Sequence, residues 1–168
     1  METDIKSKYC YIIKLVYHND NLFMAWTGEN EKLFINTESK MVYNDIIECT
    51  NAINAAGWVL DDEIYTCDFD TIMKWCESEQ GMTNYSKIID AWNLLSDISI
   101  FIKKPFCGDS KCRVIDAVYN KLFYSIELPA HHKNQEANVG WSSTEIKLLK
   151  SILLHGKTKL DFVISRNL

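Results

Sequence analysis

The chain has 168 residues, 47% hydrophobic and 24% charged, with only six Gly and two Pro; this excludes a disordered or low-complexity chain and favours one globular domain over residues 1–168. The net charge is −5, yet between Asn44 and Asp97 eleven acids face two bases, a local balance of −9 against +4 for the remainder, a field that repels phosphate and argues against direct nucleic-acid binding. No apolar run approaches the ~20 residues that span a bilayer, and no basic start leading into an apolar run and a cleavage site opens the chain, so we expect a cytoplasmic protein, off membranes, with its six cysteines reduced.

The first elements read as strands. Tyr9 to Tyr17 is rich in β-branched and aromatic residues, "HNDN" supplies turn chemistry, and Leu22 to Thr27 returns, which predicts a hairpin. "KLFIN" (Lys32 to Asn36) predicts a third strand. Ile46, Cys49, Ile53 and Ala56 then recur at helical spacing, with Gly57 where a left-handed C-cap belongs. "WVLDDEIYTCDF" predicts a short strand, an Asp-Asp turn and a further strand.

The middle is helical. Asp68 or Asp70 can cap "TIMKWCESE", which Gly81 terminates. Ile88, Trp92, Leu95 and Ser99 form one stripe of a long helix from about Asn84 to Phe101, stopped by Pro105. The apolar residues from Val114 to Ile126 predict another, ended by Pro129. After the polar stretch "AHHKNQEANVG", Ser142 and Glu145 have capping-box spacing and open a helix that Gly156 closes. "KLDFVI" (Lys159 to Ile164) then predicts a closing strand. Strands and helices do not alternate strictly. The expected class is α+β: an antiparallel or mixed sheet from the N-terminal hairpin and the C-terminal strand, packed with about four to five helices.

Little of this looks catalytic. Cys107, Cys112, His131 and His132 form C-x4-C-x18-H-H, and thiolate with imidazole suits zinc. Adjacent histidines, however, depart from the usual separation. The stretch "CGDSKC" is better read as a joint between helices: Gly108 turns after Pro105, Asp109 or Ser110 caps the next helix, and Lys111 and Cys112 enter its first turn. "HGKT" (His155 to Thr158) has Ser151 where a phosphate loop needs glycine. His131, His132 and Glu136 could form a general-base cluster, but no accompanying motif assigns a reaction. We therefore expect no catalytic residues, no metal and no cofactor; a small metal-dependent hydrolase on the Cys/His set stays as an alternative.

The acidic segment carries the functional signal. "DDEIYTCDFD" interleaves Ile64, Tyr65 and Phe69 with five acids, and aromatic anchors in a negative field suit a basic protein partner. The expected partner-binding residues are Asp61, Asp62, Glu63, Tyr65, Asp68, Phe69, Asp70, Glu77 and Glu79. Strand addition along "KLDFVI" is a second mode.

Two stretches, "AWNLLSDIS" (91–99) and "VGWSSTEIKLLKSILLHG" (139–156), together with the acidic, Asn/Ile/Lys-rich style of the chain, resemble the immunity proteins of contact-dependent growth inhibition systems. The resemblance implies a non-catalytic cytoplasmic protein that binds and neutralises the C-terminal toxin domain of a matching effector, often a basic nuclease. It carries over no individual functional residue.

Overall fold

The computed structural model describes residues 9–27, 32–33, 40–131 and 140–167. The class is α+β. Contacts divide the chain into two compact units, residues 1–70 with 163–168, and residues 71–162.

The first unit is built on a mixed sheet in the order β3-β2-β1-β4. Strands β1 (Tyr9–Tyr17) and β2 (Asp20–Thr27) form the expected hairpin, paired from Cys10↔Thr27 to Tyr17↔Asp20. The two loop residues, His18 and Asn19, have φ of 54° and 63°. Positive φ at both central positions is the mark of a type I′ turn, whose twist matches the strands it joins. Asp70 holds this turn: its two carboxylate oxygens accept the backbone N–H groups of His18 and Asn19, each at 2.8 Å. Strand β3 (Lys32–Leu33) pairs with β2; the rest of the predicted third strand lies outside the described residues.

Helix α1 (Ile46–Ala55) starts on Asp45, whose carboxylate accepts the Ile47 N–H at 2.6 Å. It ends in a Schellman arrangement. Trp58 N–H returns to the Ile53 carbonyl and Gly57 N–H to Asn54, with Gly57 at φ 74°. Its Cys49 and Ile53 close on Cys10, Ile12, Ala25 and Tyr43, all at most 1% exposed, to make the core on one face of the sheet.

Strand β4 (Val59–Asp68) is one element, not two strands about a turn. It runs parallel to β1 at the end of the sheet. Its register jumps: Leu60 pairs with Cys10 and Ile64 with Ile12, so Asp61, Asp62 and Glu63 stand opposite Tyr11 alone. The Asp-Asp pair makes a bulge with two extra residues rather than a reversal, because both arms of the strand keep the same neighbour.

The second unit is helical. Helix α2 begins at Phe69, earlier than predicted, and ends at Glu77. The loop after it is pinned by Lys150, 9% exposed, whose ammonium donates to the Ser78 and Gln80 carbonyls at 2.7 and 3.1 Å and lies over the Trp75 ring. Trp75 Nε1–H donates to Gly81 O at 2.9 Å. Helix α3 (Tyr85–Ile102) buries Ile88, Ile89, Trp92, Leu95 and Ile98. Helix α4 (Arg113–His131) packs on it through Tyr119, whose ring meets Trp92 edge-on and whose hydroxyl donates to Asn93 Oδ1 at 3.0 Å, and continues past Pro129.

Helix α5 (Ser143–Asn167) overturns the predicted end of the chain. Its start matches the expected capping box: Ser142 N–H donates to Glu145 Oε2 at 2.7 Å, and Glu145 N–H to Ser142 Oγ at 3.2 Å. Gly156, however, caps nothing, and "KLDFVI" is helix rather than strand. Leu149, Leu153, Gly156, Leu160 and Val163 are all buried and spaced 4, 3, 4 and 3, so the stripe passes through the glycine without losing phase. Gly156 is there for space. A Cβ on it would collide with the side chains of Leu95 and, at 3.0 Å, Phe106.

Glu145 also receives Lys121 of α4 in a forked contact at 2.8 and 2.9 Å, and Lys121 donates to Gly140 O. The Lys121 ammonium and the capping hydrogen bonds hold the Glu145 carboxyl down at about 2. A depressed carboxyl stabilises above its ordinary range near 4.5 and loses that effect as pH falls through its folded value. We expect about 1 kcal/mol, kept small by solvent screening, to vanish between pH 4.5 and 2. Glu145→Gln should give a flatter urea-midpoint profile over that window than the parent; parallel profiles would remove the staple. Among the described residues no helix is long and apolar enough to cross a membrane.

Candidate functional site

Strand β4 is unusual for its exposure. From Val59 to Thr66 every residue is exposed except the half-buried Leu60. An edge strand this open is a liability unless charge or irregularity protects it, or a partner covers it. Here the bulge supplies three adjacent carboxylates. Glu63 N–H donates to Asp61 Oδ1 at 3.1 Å, and among the described residues none of the three forms an ion pair. Three like charges in consecutive positions repel.

The face of the sheet away from α1 continues the site. Because paired residues share a face, Tyr9 and Val59, Tyr11 and Trp26, and Tyr65 beside Ile13 all stand there. The rings of Trp26, Tyr11 and Tyr65 form a row, with centroids 5.2 and 5.0 Å apart. Tyr9, Val59 and Tyr65 are 54%, 46% and 51% exposed, a contiguous apolar strip of the kind that marks an interaction surface. Tyr65 joins the two halves: its hydroxyl donates to Glu63 Oε2 at 2.7 Å. That hydrogen bond and the Glu63 charge raise the Tyr65 phenol above its ordinary value.

The expected residues thus separate. Asp61, Asp62, Glu63 and Tyr65 come together at the bulge. Asp68 is half-buried at the end of β4. Phe69 is fully buried against Tyr17, with centroids 5.5 Å apart, and so belongs to the core rather than to a binding surface. Asp70 spends both oxygens on the hairpin turn. Glu77 and Glu79 are exposed but lie in the second unit. Tyr9, Tyr11, Trp26 and Val59 were missed, although the odd-numbered aromatics of β1 already stood on one face by alternation.

The cysteine-histidine set is placed differently from the prediction. Cys107–Asp109 form a 3-10 turn. Asp109 accepts the Ser96 hydroxyl at 2.6 Å instead of capping α4, and that helix begins at Arg113, one residue after Cys112. Cys107 N–H donates to His155 Nδ1 at 3.3 Å. His131 ends α4, and His132 and Glu136 lie outside the described residues. Among the described residues no three His, Cys, Asp or Glu side chains stand together as metal ligands. Burial pushes the thiols of Cys10, Cys49 and Cys76 up to about 11, 12 and 12, so they stay protonated and unreactive near neutrality.

A shallow groove of about 690 Å³ beside this joint is ringed by Lys103, Lys104 and Lys159, the wrong sign for a basic partner. No known family, curated protein or solved structure matches the chain.

Proposed function

We propose that this chain is an immunity-type protein. It binds a basic toxin domain in the cytoplasm and neutralises it by occlusion, without chemistry of its own. The observation that carries this reading is the β4 bulge, where Asp61, Asp62 and Glu63 form no ion pair among the described residues and stand beside an exposed aromatic strip. Uncompensated carboxylates raise the encounter rate with a cationic partner, while aromatic anchors hold it. The resemblance of residues 91–99 and 139–156 to immunity proteins points the same way; these stretches lie within or flank α3 and α5, and so support the class without defining the contact surface. Strand addition along residues 159–164 is set aside, because that segment is helical.

The test is protection. Cells that express the toxin domain encoded by the adjoining gene should survive when this chain is co-expressed. Death despite folded, soluble chain would end the immunity reading.

A further inference from the structure

The exposed end of this sheet face, around Tyr9, Val59 and Tyr65, is more selective than a generic acidic surface. Its exposed centre is the Tyr65 ring, whose neighbour on one side is Tyr11 at 5.0 Å. The Glu63 carboxylate is tied to the Tyr65 hydroxyl through Oε2 at 2.7 Å. Ring and carboxylate are therefore held together before any partner arrives. Asp61 and Asp62 extend the negative charge along the bulge.

Two kinds of cation can answer a negative surface, and they differ in shape. A lysine ammonium is a compact, strongly hydrated point charge. A guanidinium is flat, stacks on aromatic rings and donates two parallel hydrogen bonds to a carboxylate. A ring with a carboxylate fixed at its hydroxyl end offers both contacts to one planar group. The occupant is argued from charge complementarity: β4 carries Asp61, Asp62, Glu63 and Asp68 and no base.

We propose that this sheet face docks a basic protein segment by seating one arginine side chain on Tyr65, with its guanidinium bonded to Glu63. This rests on the protein-binding reading above and specifies its chemistry. Tyr65 supplies the stacking surface, Glu63 the acceptor, and the bulge sets Glu63 where it reaches the ring. Tyr9 and Val59 supply the apolar flank that accepts the neighbouring side chains of the segment.

The probe is a pair of acetylated hexapeptides of equal charge, one alternating Gly and Arg, the other Gly and Lys, titrated into the whole chain at low salt with the Tyr65 ring resonances tracked by NMR. We expect the arginine peptide to bind about 3- to 10-fold tighter, the gain a partly exposed cation–π contact and a forked pair give together, and to move the Tyr65 and Glu63 signals. Tyr65→Leu and Glu63→Gln should each cancel most of that preference. Tyr65→Phe keeps the ring and should keep most of it, so a folding defect is told apart from a lost seat. Equal affinity for the two peptides, or shifts that spare Tyr65, overturns the arginine seat. So does Tyr65 shifting with protein concentration alone, which would make the occupant a second copy of the chain. The seat and the immunity reading fail separately: arginine preference without protection from the toxin refutes the function alone, and protection without arginine preference refutes the seat alone.

Discussion

Gly156→Val should destabilise the chain by about 2–3 kcal/mol, the upper range for overpacking a filled core, and lower its melting temperature by about 5–10 °C. The reason lies in what surrounds the position. Gly156 sits on the buried stripe of α5, and a Cβ there meets Leu95, which is 0% exposed, and Phe106, which is 3% exposed. Phe106 is held between Trp92, at a centroid distance of 6.2 Å, and His155, whose ring is nearly parallel to it. Its far edge is pressed on Gly108, where a Cβ would strike the same ring. Any residue but glycine or proline would improve the intrinsic helix propensity at 156, by up to about 1 kcal/mol for Ala, so net destabilisation would show that packing dominates. Two controls sharpen the result. Gly81→Ala, where a Cβ meets nothing within 4 Å, should stay within about 0.5 kcal/mol of the parent. Phe106→Leu introduced with Gly156→Val should return part of the loss, giving a coupling of about 0.5–1 kcal/mol. Urea unfolding of the single variants, the double variant and the parent reads all of these, and additive single effects would disprove the shared packing.

Neutralising the bulge through Asp61→Asn, Asp62→Asn and Glu63→Gln should slow association with a basic toxin domain about tenfold or more at low salt. Dissociation should change less. The two proteins should converge as salt approaches 1 M, where the screening length falls to about 3 Å. The side chains are exposed and their hydrogen bonds are local, so stability should stay within about 0.5 kcal/mol of the parent. Stopped-flow association at several salt concentrations is the measurement. Identical salt slopes for the two proteins would place the partner elsewhere.

The class and most elements were legible because their signals were local. The Gly57 cap and the Ser142–Glu145 box define ends that the structure keeps. What failed depended on distant neighbours. Gly156 has the composition of a cap, and only the packing of Leu95 and Phe106 reveals it as a clearance. "KLDFVI" is rich enough in apolar residues to suit a strand, but its Leu160 and Val163 continue a helical phase set about ten residues earlier, at Leu149 and Leu153. The Asp-Asp pair resembles a turn; it became a bulge because β1 lies beside both arms of β4. Within the candidate site, charge picked out Asp61, Asp62 and Glu63. Charge could not separate them from Asp70, whose hairpin clamp spans 52 residues. Nor could interleaving show that Phe69 turns inward while Tyr65 turns out.

The bulge has a colloidal consequence whatever it binds. An end strand of ten residues, open from Val59 to Thr66 and carrying exposed Val59, Ile64 and Tyr65, is a template on which identical chains could stack. Two extra residues break the even ladder such stacking needs, and three carboxylates in the break make each copy repel the next. On the binding reading proposed above, the same groups that would draw a partner of opposite charge also oppose the stacking of identical chains.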